Sequence, residues 1–266
     1  MRGSWRMSVF VVSAALLSAK TYPVDGIVVA VDPAARTMLV SHRPIAGYMP
    51  AMMMPFRVAD PESLRDLYPG ARVEFLLDVA RDHAVARDVH RTGEPDAAIP
   101  PPRETLRIGD PLPGFHLTDQ HGRDVEPADL HGKVAAIDFI YTRCPLPDVC
   151  PRLAASFAAL ARRFARDPDL LLLSVTVDPD YDTTAVLADY ARRWSAGPNW
   201  RFLTGDVAPL AAHLGEVYWS DEGSIGHNSV TTIVNRAGRI AARVDGSQWR
   251  IEQLANLIAR ELKENP

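Results

Sequence analysis

Cysteine is scarce in this chain: only Cys144 and Cys150 occur in 266 residues, so at most one intramolecular disulfide can form. Positive charge is not in excess either, because 29 lysines and arginines face 33 aspartates and glutamates, for a formal net charge of −4. A chain without a basic surplus is poorly suited to a phosphate backbone, and we expect no nucleic-acid partner. P-loop, dinucleotide-binding, HExxH and GxSxG motifs are absent as well, so no common enzyme signature is present.

Long hydrophobic runs are also missing, apart from a short one near the N-terminus. Arg2 and Arg6 precede an apolar run from Ser8 to Ser18, which is about half the length that a bilayer span needs. A basic start followed by a short apolar stretch and small residues is the layout of a secretory signal. Residues 1–20 are therefore predicted to be a signal peptide or a short anchor. The protein is expected to be periplasmic or otherwise exported, with membrane contact only through an uncleaved N-terminus.

A proline-rich stretch divides the remaining chain into two parts. Residues 92–104 contain four prolines and almost no hydrophobic periodicity, which predicts an extended linker. In residues 21–91, runs such as DGIVVAVDPAARTMLVSH and ARVEFLLDVA alternate between apolar and polar residues. Five short strands in about 70 residues predict a small all-β barrel of the OB type.

Residues 105–266 have a different pattern. KVAAIDFIYT and DLLLLSVTVD are continuous apolar runs, as expected of strands that are covered on both faces. Apolar residues recur with a helical period in PRLAASFAALARRFAR, TTAVLADYARRW and IEQLANLIARELK, and NSVTTIVNRAGRIAARVDG is typical of two paired strands. The order β-α-β-α-β-β-α predicts an α/β domain of the thioredoxin-like class.

The two cysteines lie close together in the segment CPLPDVCPRL. Pro145 and Pro147 prevent a regular helix between them, whereas Pro151 fits the first turn of a helix that begins at Cys150. A helix N-terminus stabilises a thiolate, so the pattern predicts a lowered pKa for Cys150. A structural disulfide is the alternative, although a ring of seven residues would contribute only about 2 kcal/mol.

Methionine is concentrated in one place: four of the seven methionines fall within six positions, 49–54. In a strand Met52 and Met54 would share a face and Met53 would point the opposite way. Thioether sulfur favours Cu(I) and Ag(I) over hard cations, and His42 on the preceding strand would complete a soft metal site. The alternative is that the methionines only fill an irregular core.

Several segments of the second part resemble the Sco/SenC family. They are RIGDPLPGFHLTDQHGRDV, YTRCPLPDVCPRL, VTVDPDYDT and GHNSVTTIVNRAGRI, and together they span about residues 105–263. Members of this family are thioredoxin-like copper proteins associated with assembly of the CuA centre of cytochrome oxidase. In VTVDPDYDT we assign no ligand, and Asp178 is predicted only to end a strand and begin a turn.

The resemblance implies a ligand set of Cys144, Cys150 and His227 for Cu(I), and also for Cu(II). Zinc is a less suitable occupant, because structural zinc normally has four protein ligands. The family spacing is Cys-x3-Cys, whereas five residues separate the cysteines here. That longer loop leaves the metal geometry and the redox potential open.

The methionine segment resembles the CusF-like family of small periplasmic Cu(I)-binding barrels over about residues 24–91. His42, Met52 and Met54 fall on the histidine and the two methionine ligands of that family. The tryptophan that caps the metal in the family is replaced by Met49. This leaves Tyr48 as a cap, or Met49 as a further sulfur ligand.

Together these patterns predict an exported metallochaperone with two copper sites, which delivers copper to an apo-subunit of cytochrome oxidase or to another periplasmic copper protein. A thiol–disulfide oxidoreductase that acts on the cysteines of a copper-site apoprotein uses the same two thiols, Cys144 and Cys150, and stays open as an alternative. A third interpretation is a copper or silver buffer without a delivery partner.

Overall fold

The computed structural model describes residues 20–49, 52–80, 83–93, 106–221, 224–247 and 249–264. The predicted signal peptide lies outside the described residues except for Lys20, and so does the predicted linker from residue 94 onwards. None of the described helices is both long and apolar enough to cross a membrane.

The first part of the chain is a small all-β domain. Its strands are β1 (Lys20–Asp32), β2 (Thr37–His42), β3 (Met52–Arg57), β4 (Arg72–Val79) and β5 (Ala84–Gly93), in the sheet order β3-β2-β1-β4-β5. Every neighbouring pair is antiparallel. A parallel bridge between Val58 and Ala86 joins the two outer edges, as barrel closure requires.

Alternation along the strands builds the core of this small domain. Met38, Val40 and His42 of β2 are buried, while the residues between them are partly exposed. They pack inside with the apolar residues of the other strands, which include Val24, Val28, Phe56, Val73, Phe75, Leu77 and Ala86. One face of each strand is therefore inside the domain, as the alternation of apolar and polar residues in the sequence predicts.

The larger domain contains a mixed seven-stranded sheet in the order β14-β13-β8-β9-β10-β6-β7. Its strands are β6 (Leu117–Asp119), β7 (Asp124–Val125), β8 (Val134–Ile140), β9 (Leu170–Thr176), β10 (Trp200–Gly205), β13 (Val230–Val234) and β14 (Ile240–Asp245). Strands β8, β9 and β10 are parallel, and the outer strands run antiparallel to their neighbours. Every residue of β8 and β9 is buried, which confirms the interpretation of their continuous apolar runs.

Within the described residues, four α-helices flank this sheet: α1 (Cys150–Arg163), α2 (Thr184–Arg193), α3 (Ala208–Leu214) and α4 (Ile251–Lys263). Leu153, Phe157 and Leu160 form the buried face of α1, as its apolar period predicts. A small all-β domain followed by a thioredoxin-like α/β domain is thus confirmed. The sequence pattern missed β6, β7, β10 and α3, which are short and carry too few turns of periodic pattern to stand out.

A hairpin that the sequence pattern also missed connects the two domains. Strands β11 (Tyr218–Asp221) and β12 (Ser224–His227) pair only with each other in the described part of the chain. Val217 and Trp219 form a buried apolar cluster with Ile27 and Val29 of β1, and Leu39 and Met53 pack against it. The hairpin that ends in His227 is therefore the element that docks the small domain onto the larger one.

Candidate metal sites

The two thiols lie at the junction of β8 and α1. Cys150 is the first residue of α1 and is fully buried, whereas Cys144 lies in the preceding loop and is half-buried. Both cysteines are free thiols. The loop with prolines between them is irregular, as Pro145 and Pro147 predict, and α1 begins where Pro151 indicates.

The segment VTVDPDYDT anchors the loop that leads into Cys144. Asp182 accepts hydrogen bonds from the backbone N–H of Thr142 at 3.0 Å and from the hydroxyl groups of Thr142 and Thr176. Asp178 accepts one from Nε of Arg143 at 2.6 Å. The sequence predicts only a strand end and a turn at Asp178. In the structure, the carboxylates of Asp178 and Asp182 also fix Arg143 and Thr142, which immediately precede Cys144.

His227 is the last residue of the docking hairpin, and its side chain is buried beside the thiols. Nε2 of His227 lies 3.4 Å from Sγ of Cys150, and Nδ1 donates to Oε1 of Glu216 at 2.7 Å. Because Nδ1 carries the proton in this arrangement, the lone pair on Nε2 faces the sulfur. Burial lowers the pKa of His227, but the hydrogen bond and charge of Glu216 outweigh that effect and raise it.

Glu216 is itself buried and well satisfied. Besides His227, it accepts hydrogen bonds from the backbone N–H groups of Ser229 at 3.2 Å and Val230 at 2.7 Å. A carboxylate that fixes the ring of a histidine is the usual outer partner of a metal-binding imidazole. Nothing in the local sequence around Glu216 indicates this contact, since His227 is eleven positions away at the end of a hairpin.

The prediction that Cys150 has the lowered pKa is wrong. Burial raises the pKa of Cys150 well above its ordinary value, and the charge of Cys144 adds to the effect. The pKa of Cys144 is lowered to about 6, first because the Cys150 thiol donates a hydrogen bond to it and also through the backbone N–H of Cys150. The helix N-terminus does stabilise a thiolate, but it acts on the neighbouring sulfur and not on the cysteine within the helix.

This asymmetry predicts the pH dependence of thiol alkylation in the copper-free protein. Because the pKa of Cys144 is about 6, its reaction with iodoacetamide should reach its half-maximal rate near that pH. Cys150 should stay unmodified at neutral pH, since its pKa is raised. Peptide mass spectrometry over a pH series measures both rates, and preferential labelling of Cys150 would contradict the assignment.

A buried carboxyl group lies under the thiol site. Asp138 is fully buried in β8, where its carboxyl group lies beside the hydroxyl group of Ser174 on the paired strand β9. Burial raises the pKa of Asp138 to about 7, and the charge of Asp138 contributes to the raised pKa of Cys150. The signal for Asp138 was visible in the sequence, because it is the only acidic residue in the apolar run KVAAIDFIYT.

The three residues Cys144, Cys150 and His227 are neighbours, but they are not a closed cage. In the described part of the chain, no three histidine, cysteine, aspartate or glutamate side chains already converge as a metal site. Cys150 connects the other two, through the thiol contact to Cys144 and the 3.4 Å contact to His227. A small movement of the partly exposed Cys144 loop is needed before all three donors meet one ion.

The small domain brings His42 and the methionine segment together. Met52 pairs across the sheet with His42, and Met54 pairs with Val40, so these side chains belong to one face of the β2–β3 pair. Met52 is 41% exposed. Met54 and Met49 are half-buried against the barrel core, and Met49 is held by two backbone hydrogen bonds with Ile45.

His42 is buried with one nitrogen available. Its Nδ1 lies 2.7 Å from the carbonyl oxygen of Arg43, which therefore accepts its proton, and Nε2 has no hydrogen-bond partner among the described residues. An unpaired buried imidazole nitrogen beside thioether sulfurs is a suitable donor set for a soft metal ion. Tyr48, the alternative cap, stacks on Tyr22 with ring centroids 4.7 Å apart.

One cavity joins the two sets of donors. It has a volume of about 240 Å³ and lies between the small domain and the thiol site. Its lining includes His42, Met52 and Met53 from the small domain and Cys144 and His227 from the larger one. Cys150, Met49 and Met54 do not line the cavity, and their side chains lie behind the residues that do.

Two family models match the chain. The SCO1/SenC model matches residues 104–263, and the model of the copper binding periplasmic protein CusF matches residues 21–91. An SCO2-like protein of Rickettsia prowazekii is 27% identical over 147 residues, which cover 51% of this chain and 68% of that protein.

Solved structures show the same fold for the larger domain. A SCO1/SenC family lipoprotein from Bacillus anthracis is 26% identical with a TM-score of 0.53, over 60% of this chain and 99% of that chain. BsSco, described as having a disulfide switch and as a member of a family of cytochrome c oxidase assembly proteins, is 24% identical with a TM-score of 0.52. That match covers 60% of this chain and 100% of the BsSco chain.

Proposed function

Since the chain belongs to the SCO1/SenC family and carries a CusF-matching segment ahead of that domain, we propose that it is a periplasmic copper chaperone with two Cu(I) sites. The small domain captures Cu(I) through His42, Met52 and Met54, with Met49 as a further sulfur. The larger domain holds it through its two thiols and His227. Thioether, thiolate and imidazole are the ligands that monovalent copper prefers.

The shared cavity is the observation that supports this proposal best. His42 and Met52 of the capture site and Cys144 and His227 of the second site line the same space of about 240 Å³. Copper can therefore pass from one donor set to the other within a single cavity. Cu(I) suits both sets, so transfer by ligand exchange needs no change of oxidation state.

An anaerobic titration of the full chain with Cu(I) tests the two sites. The reduced chain should bind two equivalents, one at each site. Oxidation of Cys144 and Cys150 to a disulfide removes two of three ligands from the second site, so the oxidised chain should bind one equivalent, at His42 and the methionines. Two tightly bound equivalents in the oxidised chain would contradict the ligand assignment.

We propose cytochrome c oxidase as the recipient, with its CuA centre as the site that receives the copper; BsSco is described as a member of a family of cytochrome c oxidase assembly proteins. A strain without this protein should then lose oxidase activity in low-copper medium and regain it when copper is added. A strain that keeps its oxidase activity but fails to grow in excess copper would instead indicate a copper or silver buffer.

A thiol–disulfide oxidoreductase is the second candidate, and one observation favours it. Cys144 is partly exposed with a pKa lowered to about 6, and Cys150 behind it is fully buried with a raised pKa. An accessible nucleophilic thiolate next to a protected resolving thiol is the arrangement that disulfide exchange uses. The recipient would then be reduced before it receives copper.

A further inference from the structure

Met53 faces away from the proposed capture site. It pairs across the sheet with Ser41, whereas its neighbours Met52 and Met54 pair with His42 and Val40. Because side chains alternate along a strand, Met53 is on the face that meets the larger domain. It is half-buried there, and it packs against both the interdomain cluster around Trp219 and the apolar core of the larger domain.

The position of Met53 on the cavity wall distinguishes it from an ordinary packing methionine. On the barrel side its neighbours in the wall are His42 and Met52, and on the opposite side the wall is formed by Cys144 and His227. A thioether is soft, uncharged and conformationally adaptable, so it binds monovalent copper without trapping it as a thiolate would. Leucine would fill the same interface equally well but could not bind the ion.

We propose that Met53 is a relay ligand: Cu(I) that leaves the capture site binds the thioether of Met53 before it reaches Cys144 and His227. This inference rests on the proposed two-site function and adds a ligand that neither donor set contains. Bonds from copper to Met52 and His42 break as bonds to Met53, then to Cys144 and His227, form. Copper remains Cu(I) throughout, no electron is transferred, and any proton on the Cys144 thiol leaves to solvent.

Methyl-¹³C-methionine NMR of the reduced full chain with one equivalent of Cu(I) tests the relay. Free and copper-bound methyl signals of Met52 and Met54 should both appear, and exchange peaks between them report the rate at which copper enters and leaves the barrel. A rate that does not depend on protein concentration excludes direct transfer between two chains. The Met53 methyl signal should also shift on copper addition.

The decisive variant is Met53→Leu, which removes the sulfur and keeps the apolar volume. It should slow the exchange about ten-fold or more, while the chain still binds two equivalents of Cu(I). Met38→Leu is the matched control, because Met38 is fully buried in the barrel core away from the cavity, and its exchange rate should equal that of the wild type.

The outcomes separate the relay from the proposed function on which it rests. A Met53→Leu chain that binds two equivalents and exchanges copper at the wild-type rate overturns the relay and leaves the two-site function intact. A wild-type chain that binds only one equivalent overturns the two-site function itself. Unchanged tryptophan fluorescence in Met53→Leu verifies that the docked arrangement around Trp219 persists.

Discussion

Replacement of His227 by alanine should lower the Cu(I) affinity of the thiol site by about 100-fold or more. Loss of a residue that only supports a metal ligand already lowers metal affinity by roughly 10- to 100-fold, and His227 is proposed to be a ligand itself. The physical reason is that Nε2 of His227 is, among the described residues, the nitrogen donor that lies beside the thiols, 3.4 Å from Sγ of Cys150. Disulfide exchange should largely survive, because it depends on the two sulfurs. Competition titration with a Cu(I) chelator measures the first effect, and exchange with a model disulfide measures the second.

The matched control is His213→Ala, which removes a half-buried histidine on α3 of the same domain and should change neither quantity. The His227→Ala chain should remain folded, because Glu216 keeps the backbone N–H groups of Ser229 and Val230 as donors. If copper affinity stays at the wild-type value, the third ligand lies elsewhere. If disulfide exchange is lost together with copper binding, the two functions cannot be separated at this residue.

Replacement of Gly226 by alanine should undock the two domains. A Cβ at this position would lie 2.3 Å from Cε2 of Trp219, closer than real carbon contacts allow, so the indole ring must move. Trp219 is buried against Ile27 and Val29, and Nε1 has no hydrogen-bond partner among the described residues, so packing alone holds the ring. The loss of docking free energy between the two domains should approach the roughly 3–5 kcal/mol of stability that removal of a buried tryptophan costs.

Small-angle scattering should then show a larger radius of gyration for Gly226→Ala, and tryptophan fluorescence should shift to longer wavelength. Transfer of copper from the barrel to the thiols should become slower, because the shared cavity opens. Gly114→Ala is the control, since a Cβ there meets no atom within 4 Å in the described structure. An unchanged scattering profile in Gly226→Ala would show that the hairpin does not hold the domains together.

The elements that could be predicted from the sequence are those that carry their own pattern. The fully apolar runs of β8 and β9 and the apolar face of α1 needed no knowledge of their neighbours. The hairpin Tyr218–His227 could not be found in this way, because its buried residue Trp219 is covered by β1, almost 200 positions earlier in the chain. Its burial therefore depends on domain docking and leaves no local period.

The candidate site shows the same division. Motif resemblance was sufficient to name Cys144, Cys150 and His227, and the structure places them side by side. The sequence could not show which cysteine carries the thiolate. Cys150 begins a helix, as predicted, but it is also fully buried, and burial depends on the fold. Strand alternation correctly predicted that Met53 points away from the face of Met52 and His42, yet only the structure shows that the opposite face meets the larger domain.

Sulfur atoms from two domains should bind monovalent copper on both sides of one cavity. X-ray absorption at the copper edge of the reduced full chain, loaded with two equivalents of Cu(I), tests it most directly. The first shell should be dominated by sulfur, with a smaller nitrogen contribution from His42 and His227. A shell of nitrogen and oxygen alone, without a sulfur scatterer, would contradict it.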